Sequence, residues 1–282
     1  MIRGIYTGAC GMLINEMRQN ITANNLANVD TTGFKKDVAV FSMEPDNEIH
    51  KINDWKKEIK NRHIEHSRYI GNLGTGAVVS NVYTTKNQGE IRVTDNKTDF
   101  ALSGQGYFAV ETDGGVKYTR AGNFAITKDG FLTDMSGNNV LGINPAEAMN
   151  NVDSIGDDKN GLGVQTTPIK VDTQFPISVD SAGVVYQNNQ PVAKMLVVEF
   201  ESQNNVIKNG ANLISPGPET NIKAAANTEV MQNAIEGSNV NAVYEMVNMI
   251  ELQRAYEMNQ KVILTQDEML QKSIGSVGKL TA

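Results

Sequence analysis

The 282-residue sequence predicts a mainly β central region between two long terminal α-helices that form a coiled coil, an α+β chain overall. Apolar residues recur at helical spacing near both ends, and those of the last segment keep a seven-residue step. Between the ends, short β-prone runs alternate with glycine turns. We therefore expect a helix in 1–35, an extended connecting segment with short strands in 36–95, a β-rich domain in 96–215, a linker in 216–237 and a second helix in 238–282.

The first helix is predicted from Ile2 to about Asn28, because one of its faces is apolar. The stripe on that face contains Cys10, Leu13, Ile14, Met17, Ile21 and Leu26. Four asparagines, at positions 20, 24, 25 and 28, weaken this helix, since asparagine is a mediocre helix former. A buried asparagine can, however, fix the register of a helix seam. The following residues, Asp30 to Gly33, are expected to break the helix.

The segment from Met43 to Gly76 is polar and charged, and it predicts a short helix or an ordered loop. Alternating apolar residues then begin at Val78 and continue into 104–142, where short runs separated by DGG, KDG and SGN predict hairpins. The string FAITKDGFL (124–132) resembles ISVDSAGVV (177–185), and both place a glycine turn after alternating apolar residues.

Two later segments of the centre differ in character. The stretch from Asn144 to Thr167 is rich in Asn, Asp and Gly and predicts a surface insertion. The run KMLVVEF (194–200) is the most hydrophobic of the centre and predicts a central strand.

The last helix is predicted from Ser238 to about Val277, with Ser238 or Asn239 as its N-cap. Its seven-residue stripe contains Met249, Tyr256, Ile263, Leu270 and Val277, and Ala255, Val262 and Met269 form a second stripe beside it. Such a helix is about 60 Å long at 1.5 Å per residue, too long for the β body to cover. Isolated helices are marginal in water, so the stripe is expected to pack against the first helix, other copies of the chain, or both.

Charge and composition narrow the possible partners. With 25 basic and 32 acidic residues the formal charge is −7, which disfavours nucleic acid as a partner. No stretch approaches the roughly 18 consecutive apolar residues of a membrane span, so we expect no membrane insertion. Arg18 and Glu16 interrupt the early apolar run, and we expect no cleavable secretory peptide. The single Cys10 excludes an intrachain disulfide framework.

The sequence contains no strong catalytic or ligand-binding motif. We therefore predict no catalytic residues, no metal site and no cofactor. His63 and His66 lie three residues apart, but no further ligand completes a tetrahedral set. The glycines of GNLGTG (71–76) do not match a dinucleotide fingerprint. A pair of carboxylates in a glycosidase cleft stays open as an alternative. Aromatic residues, at 6%, are few for such a cleft.

Two terminal strings, NNLANVDTTGFKK (24–36) and EGSNVNAVYEMVNMIELQRAYEMNQKVI (236–263), resemble the paired motifs of bacterial flagellar rod and hook proteins. The central strings GQGYF and YTRAGNF are similar to the β domain of that family. The resemblance implies a structural subunit of the basal-body rod, exported unfolded without a cleaved signal into the periplasmic space. In that family the terminal helices form an inner tube around the export channel, and the β domain faces outward.

The resemblance also implies partners and an interface. The expected partners are copies of the chain, other rod and hook axial proteins, and surrounding ring proteins. Within the family, QRAYEMNQKVI and DEMLQK resemble the distal rod protein, while EGSNVN resembles the proximal one, and the distal protein is favoured. The predicted subunit interface consists of Leu13, Met17, Ile21, Asn24, Asn25, Leu26, Asn28, Ser238, Asn239, Val240, Asn241, Met249, Arg254, Tyr256, Ile263 and Leu270.

A second function class fits the same pattern of helices and strands. An exported β-domain adhesin or carbohydrate-binding module, oligomerised by a C-terminal coiled coil, would also carry a β centre and a terminal seam. It predicts discrete oligomers and a surface aromatic cluster, whereas a rod subunit predicts filaments.

Overall fold

The computed structural model describes residues 2–43, 47–51, 57–59, 62–64, 68–74, 76–144, 166–201, 206–217, 220–225 and 228–277. Its contacts divide the chain into two compact units. The helical unit comprises Met1–Asn24, Asp37–Tyr83 and Val243–Ala282, and the β unit comprises Asn25–Lys36 and Thr84–Ala242. Both units are therefore assembled from segments that are far apart in the sequence.

Two helices carry the ends of the chain. Helix α1 spans Ile2–Ala27 and helix α2 spans Ala242–Val277, so both predicted helices are present. However, α2 begins four residues later than expected, and Ser238 and Asn239 are not its N-cap. The side chain of Asn239 is engaged elsewhere, since its Oδ1 accepts a hydrogen bond of 2.7 Å from the backbone N–H of Lys36.

A two-stranded ribbon belongs to the helical unit. Its paired strands are β1 (Asp37–Met43) with β6 (Ala77–Thr84), β2 (Asn47–Lys51) with β5 (Arg68–Leu73), and β3 (Lys57–Ile59) with β4 (Arg62–Ile64). The prediction of a helix or loop between Met43 and Gly76 is therefore wrong for the described residues. A half-buried strand shows apolar alternation, but the neighbours Tyr69 and Ile70 are both exposed, so β5 lacks that pattern.

The β unit contains the remaining strands. They are β7 (Ile91–Val93), β8 (Phe100–Ser103), β9 (Tyr107–Thr112), β10 (Gly115–Thr119), β11 (Ala125–Ile126), β12 (Leu132–Thr133), β13 (Asn139–Ile143), β14 (Thr167–Pro168), β15 (Ser178–Val179), β16 (Val184–Gln187), β17 (Gln190–Met195), β18 (Val197–Phe200), β19 (Val206–Lys208), β20 (Leu213–Pro216), β21 (Ile222–Ala224), β22 (Glu229–Gln232) and β23 (Ala234–Glu236). A 13-stranded sheet contains the path β15-β16-β17-β13-β9-β10-β20-β19. Separate antiparallel pairs join β8 to β22 and β7 to β23.

Strand β9 lies at the centre of this unit and is buried on both faces. Phe108 and Val110 belong to one apolar cluster, while Ala109 between them belongs to another. Successive side chains of a strand point to opposite faces, so β9 contributes to two cores at once. Phe108 packs edge-on against Phe124 in the first cluster, and Tyr118 packs edge-on against Phe200 in the second.

The two similar strings form the same kind of turn. Thr127 N–H donates to Phe131 O over 2.9 Å, and Asp180 N–H donates to Val184 O over 3.1 Å. Each turn places a glycine at positive φ, Gly130 at 85° and Gly183 at 78°, where a side chain would be strained. The internal resemblance therefore corresponds to two hairpins of one type.

Two further expectations for the centre need correction. The run 194–200 is divided between β17 and β18 at Leu196, which is buried in the second cluster. The predicted linker 216–237 instead contributes strands β21, β22 and β23 to the β unit, because Val230 and Ala234 supply buried apolar side chains. Most of the predicted insertion 144–167 lies outside the described residues.

Within the described helices, none is long and apolar enough to cross a membrane.

Candidate assembly surface

Helices α1 and α2 pack closely and antiparallel through small residues of α1. A Cβ atom added at Gly4 would lie 3.1 Å from Cδ of Gln266, and one added at Gly8 would lie 3.0 Å from Cγ1 of Ile263. At Gly11 the distance to Nδ2 of Asn259 would be 2.8 Å. Larger side chains on this face would push the helices apart.

The buried and half-buried positions of α2 keep a seven-residue step. Met249, Tyr256, Ile263 and Leu270 are half-buried, so the predicted stripe does face inward. Of the predicted second stripe, Ala255 is half-buried, but Val262 is 48% and Met269 is 43% exposed. The inward row consists instead of Glu245, Leu252, Asn259, Gln266 and Ser273. Amide side chains fit here because they lie against glycines of α1, a contact that a search for apolar residues misses.

Large apolar side chains cover the outward faces of both helices. Leu13 is 66% and Met17 is 49% exposed on α1, while Ile21 is half-buried. At the start of α2 the exposed apolar residues are Val243, Tyr244, Met246, Val247 and Ile250. A cluster of exposed apolar side chains on a helix is typical of a surface that is buried against other chains or elements. Arg254 is exposed on the same helix.

The predicted asparagines lie mostly in the β unit. Asn25 is buried, Leu26 is half-buried and Asn24 is exposed. The Oδ1 atom of Asn28 accepts a hydrogen bond of 3.2 Å from the hydroxyl of Thr31, just beyond the end of α1.

Asn239 makes several contacts within its own chain. Besides accepting from Lys36, its Nδ2 donates to Thr85 Oγ1 over 3.2 Å and to Asn87 O over 2.9 Å. Ser238 Oγ accepts a bond from Val240 N–H, Val240 is buried, and Asn241 is exposed. The structure therefore gives Asn239 a role inside the β unit, and a role between subunits stays a prediction.

A buried charge cluster, consisting of Lys35, Arg120 and Glu236, lies in the same unit. The Glu236 side chain is completely buried; its Oε1 accepts from Lys35 Nζ and its Oε2 accepts from Arg120 Nε, each over 2.5 Å. Burial lowers the pKa of the Lys35 ammonium below its ordinary value, although its hydrogen bond to the Glu236 carboxylate opposes this shift.

Backbone groups satisfy the other donors of the charge cluster. Arg120 Nη2 donates to Leu102 O over 3.0 Å and to Gly104 O over 2.6 Å, and Nη1 donates to Gly106 O. Sequence reasoning missed this cluster. The available signal was that Lys35, Arg120 and Glu236 each lie in a string that carries the family resemblance.

The described residues contain no group of three His, Cys, Asp or Glu side chains that could hold a metal ion. The exposed apolar side chains of the two long helices provide a surface for contact with other chains. The buried charges of Lys35, Arg120 and Glu236 are paired with one another within the chain, so this cluster provides rigidity.

Three family models match the chain. They are described as "Flagella basal body rod protein" over residues 5–35, "Flagellar hook protein FlgE/F/G D1 domain" over 101–187 and "Flagellar basal body rod FlgEFG protein C-terminal" over 231–275. The first and last coincide with α1 and α2 and their connections to the β unit.

Several curated proteins are similar over nearly the whole chain. The flagellar basal-body rod protein FlgG of Buchnera aphidicola subsp. Baizongia pistaciae is 33% identical, covering 96% of this chain and 98% of its own. FlgG of Agrobacterium fabrum is 32% identical, covering 95% and 97%, and the rod protein FlgF of Caulobacter vibrioides is 27% identical, covering 99% and 100%. This agreement favours the rod subunit over the adhesin. The chain thus belongs to the flagellar basal-body rod protein family and is a structural subunit of the rod.

Proposed function

We propose that copies of this chain polymerise through the outward faces of α1 and α2 into a hollow, torque-transmitting rod that encloses the export channel. The observation that carries this proposal is the exposed apolar surface of the two helices, above all at 243–250. Contact between neighbouring copies would remove this surface from water, which stabilises at about 25 cal/mol per Å². A head-to-tail contact that does not close into a ring produces a helical filament.

Within this assembly the predicted interface residues divide into groups. Leu13, Met17 and Arg254 contact neighbouring copies directly, because they are exposed. The half-buried α2 residues contact α1 with one side of each side chain. The other side contacts neighbouring copies in a coiled coil. These residues are Met249, Tyr256, Ile263 and Leu270.

The remaining predicted residues act near the connections between the units. Asn25 and Asn239 hold the chain in place from within the β unit, where their side chains lie. Asn24 and Asn241 are exposed, and the exposed parts of their side chains set the register between copies. Residues 1–35 and 238–282 form the inner layer of the tube, and residues 96–215 form the outer domain.

The broader cellular assignment rests on the family. The chain is exported and joins other rod and hook axial proteins in the periplasmic space, inside surrounding ring proteins. FlgG relatives reach 33% identity whereas the FlgF relative reaches 27%, which supports a position on the FlgG side of the family. The distal assignment rests on the resemblance of the C-terminal strings.

Electron microscopy of the concentrated protein tests the proposal. Wild-type protein is expected to form filaments, while Val247→Asp is expected to remain monomeric, because it places a charge on the exposed apolar face. Met135→Asp is the control, since Met135 is also an exposed apolar residue, 74% against 50% for Val247, but lies in the β unit. Discrete closed oligomers of the wild type, or filaments of the Val247→Asp protein, would contradict the proposal.

A further inference from the structure

The charge cluster draws together three segments of the β unit that are distant in sequence. Glu236 Oε1 accepts from the Gly89 N–H over 2.9 Å in addition to Lys35, and Lys35 Nζ also donates to Asn87 O over 2.9 Å. One buried carboxylate, in the segment before α2, therefore contacts both the segment after α1 and the segment after β6.

Backbone hydrogen bonds join the same three segments. Gly33 N–H donates to Glu236 O and Gly237 N–H donates to Glu90 O, each over 2.8 Å. Thr85 N–H donates to Lys36 O over 2.8 Å. Together with the Asn239 side chain, these bonds fix both the direction and the register of the three segments.

Two glycines show how closely the segments approach. A Cβ atom at Gly89 would lie 2.1 Å from the carbonyl oxygen of Gly237, which no side chain tolerates. At Gly33, with φ of 70°, a Cβ atom would lie 2.5 Å from the backbone nitrogen of Ala121. The backbones approach so closely that no side chain fits between them. The segments therefore cannot slide past one another without breaking these contacts.

These segments adjoin the places where the chain passes from one unit to the other. The passages lie at 24/25, 36/37, 83/84 and 242/243, and three of these four are within a few residues of Lys36, Thr85 and Asn239. Any force that the polypeptide chain carries from the helical unit to the β unit must pass through these connections. If these connections are firmly attached within the β unit, the force reaches the core of that unit. If they are not, the force only stretches the connections.

We infer that Glu236, with Lys35 and Arg120, is a mechanical anchor that fixes these three segments to the rest of the β unit and allows torque to reach it. This inference rests on the proposed rod function. Glu236 suits the role because it is the one anion between two buried cations. Separating a buried ion pair leaves an uncompensated buried charge, which is strongly unfavourable and so opposes displacement of the segments that Glu236 contacts.

Glu236→Gln tests the anchor in the purified chain. The glutamine has almost the same shape, but its amide N–H₂ would face the Nε donor of Arg120 or the ammonium of Lys35. The control is Glu229→Gln, since Glu229 is exposed on the neighbouring strand β22. Amide hydrogen exchange is measured at Gly33, Gly237 and Thr85, and at Val110 and Tyr118 in the paired strands β9 and β10.

The anchor predicts exchange about ten-fold faster or more at the first three amides of Glu236→Gln, with unchanged exchange in β9 and β10. The control is expected to match the wild type throughout. Unchanged exchange at Gly33, Gly237 and Thr85 would overturn the inference. Equal acceleration across all amides would also overturn it, because Glu236 would then support the entire unit rather than the connections.

Filaments provide the second measurement. Glu236→Gln leaves the outward helix residues intact, so it is expected to assemble at the wild-type critical concentration but to give filaments of shorter persistence length. Wild-type stiffness in the variant would overturn the inference. Failure of the wild type to form any filaments would instead refute the proposed function, and the exchange measurement on the monomer would still decide whether Glu236 fixes the connections.

Discussion

Replacing Leu13 by alanine is the sharpest test of the outward face of α1. Leu13 is 66% exposed, so the substitution removes side-chain atoms that have little contact within the chain. Alanine and leucine are both good helix formers, and the helix should be preserved. We therefore expect the monomer to keep its thermal unfolding temperature while assembly weakens.

The size of the effect follows from the exposed area. Complete burial of a leucine side chain stabilises by about 1.5–3 kcal/mol, and two-thirds of Leu13 remains to be buried, which leaves about 1–2 kcal/mol for the contact between copies. Since about 1.4 kcal/mol changes an equilibrium constant ten-fold, the critical concentration should rise about 5- to 30-fold.

Sedimentation of filaments over a range of protein concentrations measures this critical concentration. Met135→Ala serves as the control, because Met135 is 74% exposed but lies in the β unit. An unchanged critical concentration for Leu13→Ala would refute the assignment of this face to subunit contacts. A large fall in the unfolding temperature of the monomer would refute the reasoning in another way, since Leu13 would then stabilise the chain itself.

Further predictions concern packing, pH and the charge cluster. Gly8→Val should accelerate amide exchange in both helices, because its Cβ would lie 3.0 Å from Cγ1 of Ile263, while the unfolding of the β unit stays unchanged. Burial raises the pKa of Tyr118 from 10.0 to about 12. The unfolded chain therefore loses this proton first, so stability should fall by up to about 3 kcal/mol as the pH rises from 10 toward 12. Urea unfolding at each pH measures this loss, and Tyr118→Phe should reduce it. Arg120→Met should accelerate amide exchange at Gly33, Gly237 and Thr85 by about ten-fold or more, since Glu236 loses a buried partner. Unchanged exchange at these amides would contradict the pairing.

Periodic features of the chain could be predicted from the sequence. The apolar stripe predicted α1 to within a residue of its end, and the glycine turns of 104–142 predicted the hairpins of β9 to β13. Both are local signals, since neighbouring residues specify a helical face or a turn without help from distant parts of the chain.

Features that depend on distant partners could not be predicted in the same way. The inward row of α2 is mostly polar, and no apolar pattern marks it, because Asn259 and Gln266 pack against glycines of α1. The ribbon lacks alternation where side chains on neighbouring positions are exposed, as at Tyr69 and Ile70. Nor does any local pattern pair Lys35 with Glu236, since a buried charge becomes favourable only when the fold brings its partner to it.

The start of α2 illustrates competition between local and distant signals. Ser238 and Asn239 are both good N-caps by residue type, yet the helix begins at Ala242. Asn239 is held by Lys36, Thr85 and Asn87, so its side chain is not available to cap the helix. Contacts with two other segments outweigh a preference that the sequence alone would assign to capping.

The separation of the charged partners along the chain also sets an order of folding. Hairpins such as β9–β10 form in about 1–10 µs, because their strands adjoin in sequence. Lys35 and Glu236 are 201 residues apart, so their contact closes a large loop at an entropic cost and should form late. In pulse-labelling during refolding, the amide of Val110 should gain protection before that of Gly33, and the reverse order would refute this sequence of events. The chain ends would then reach their final positions only after the β unit is complete, so a half-folded copy could not yet present a correctly placed surface to the growing structure.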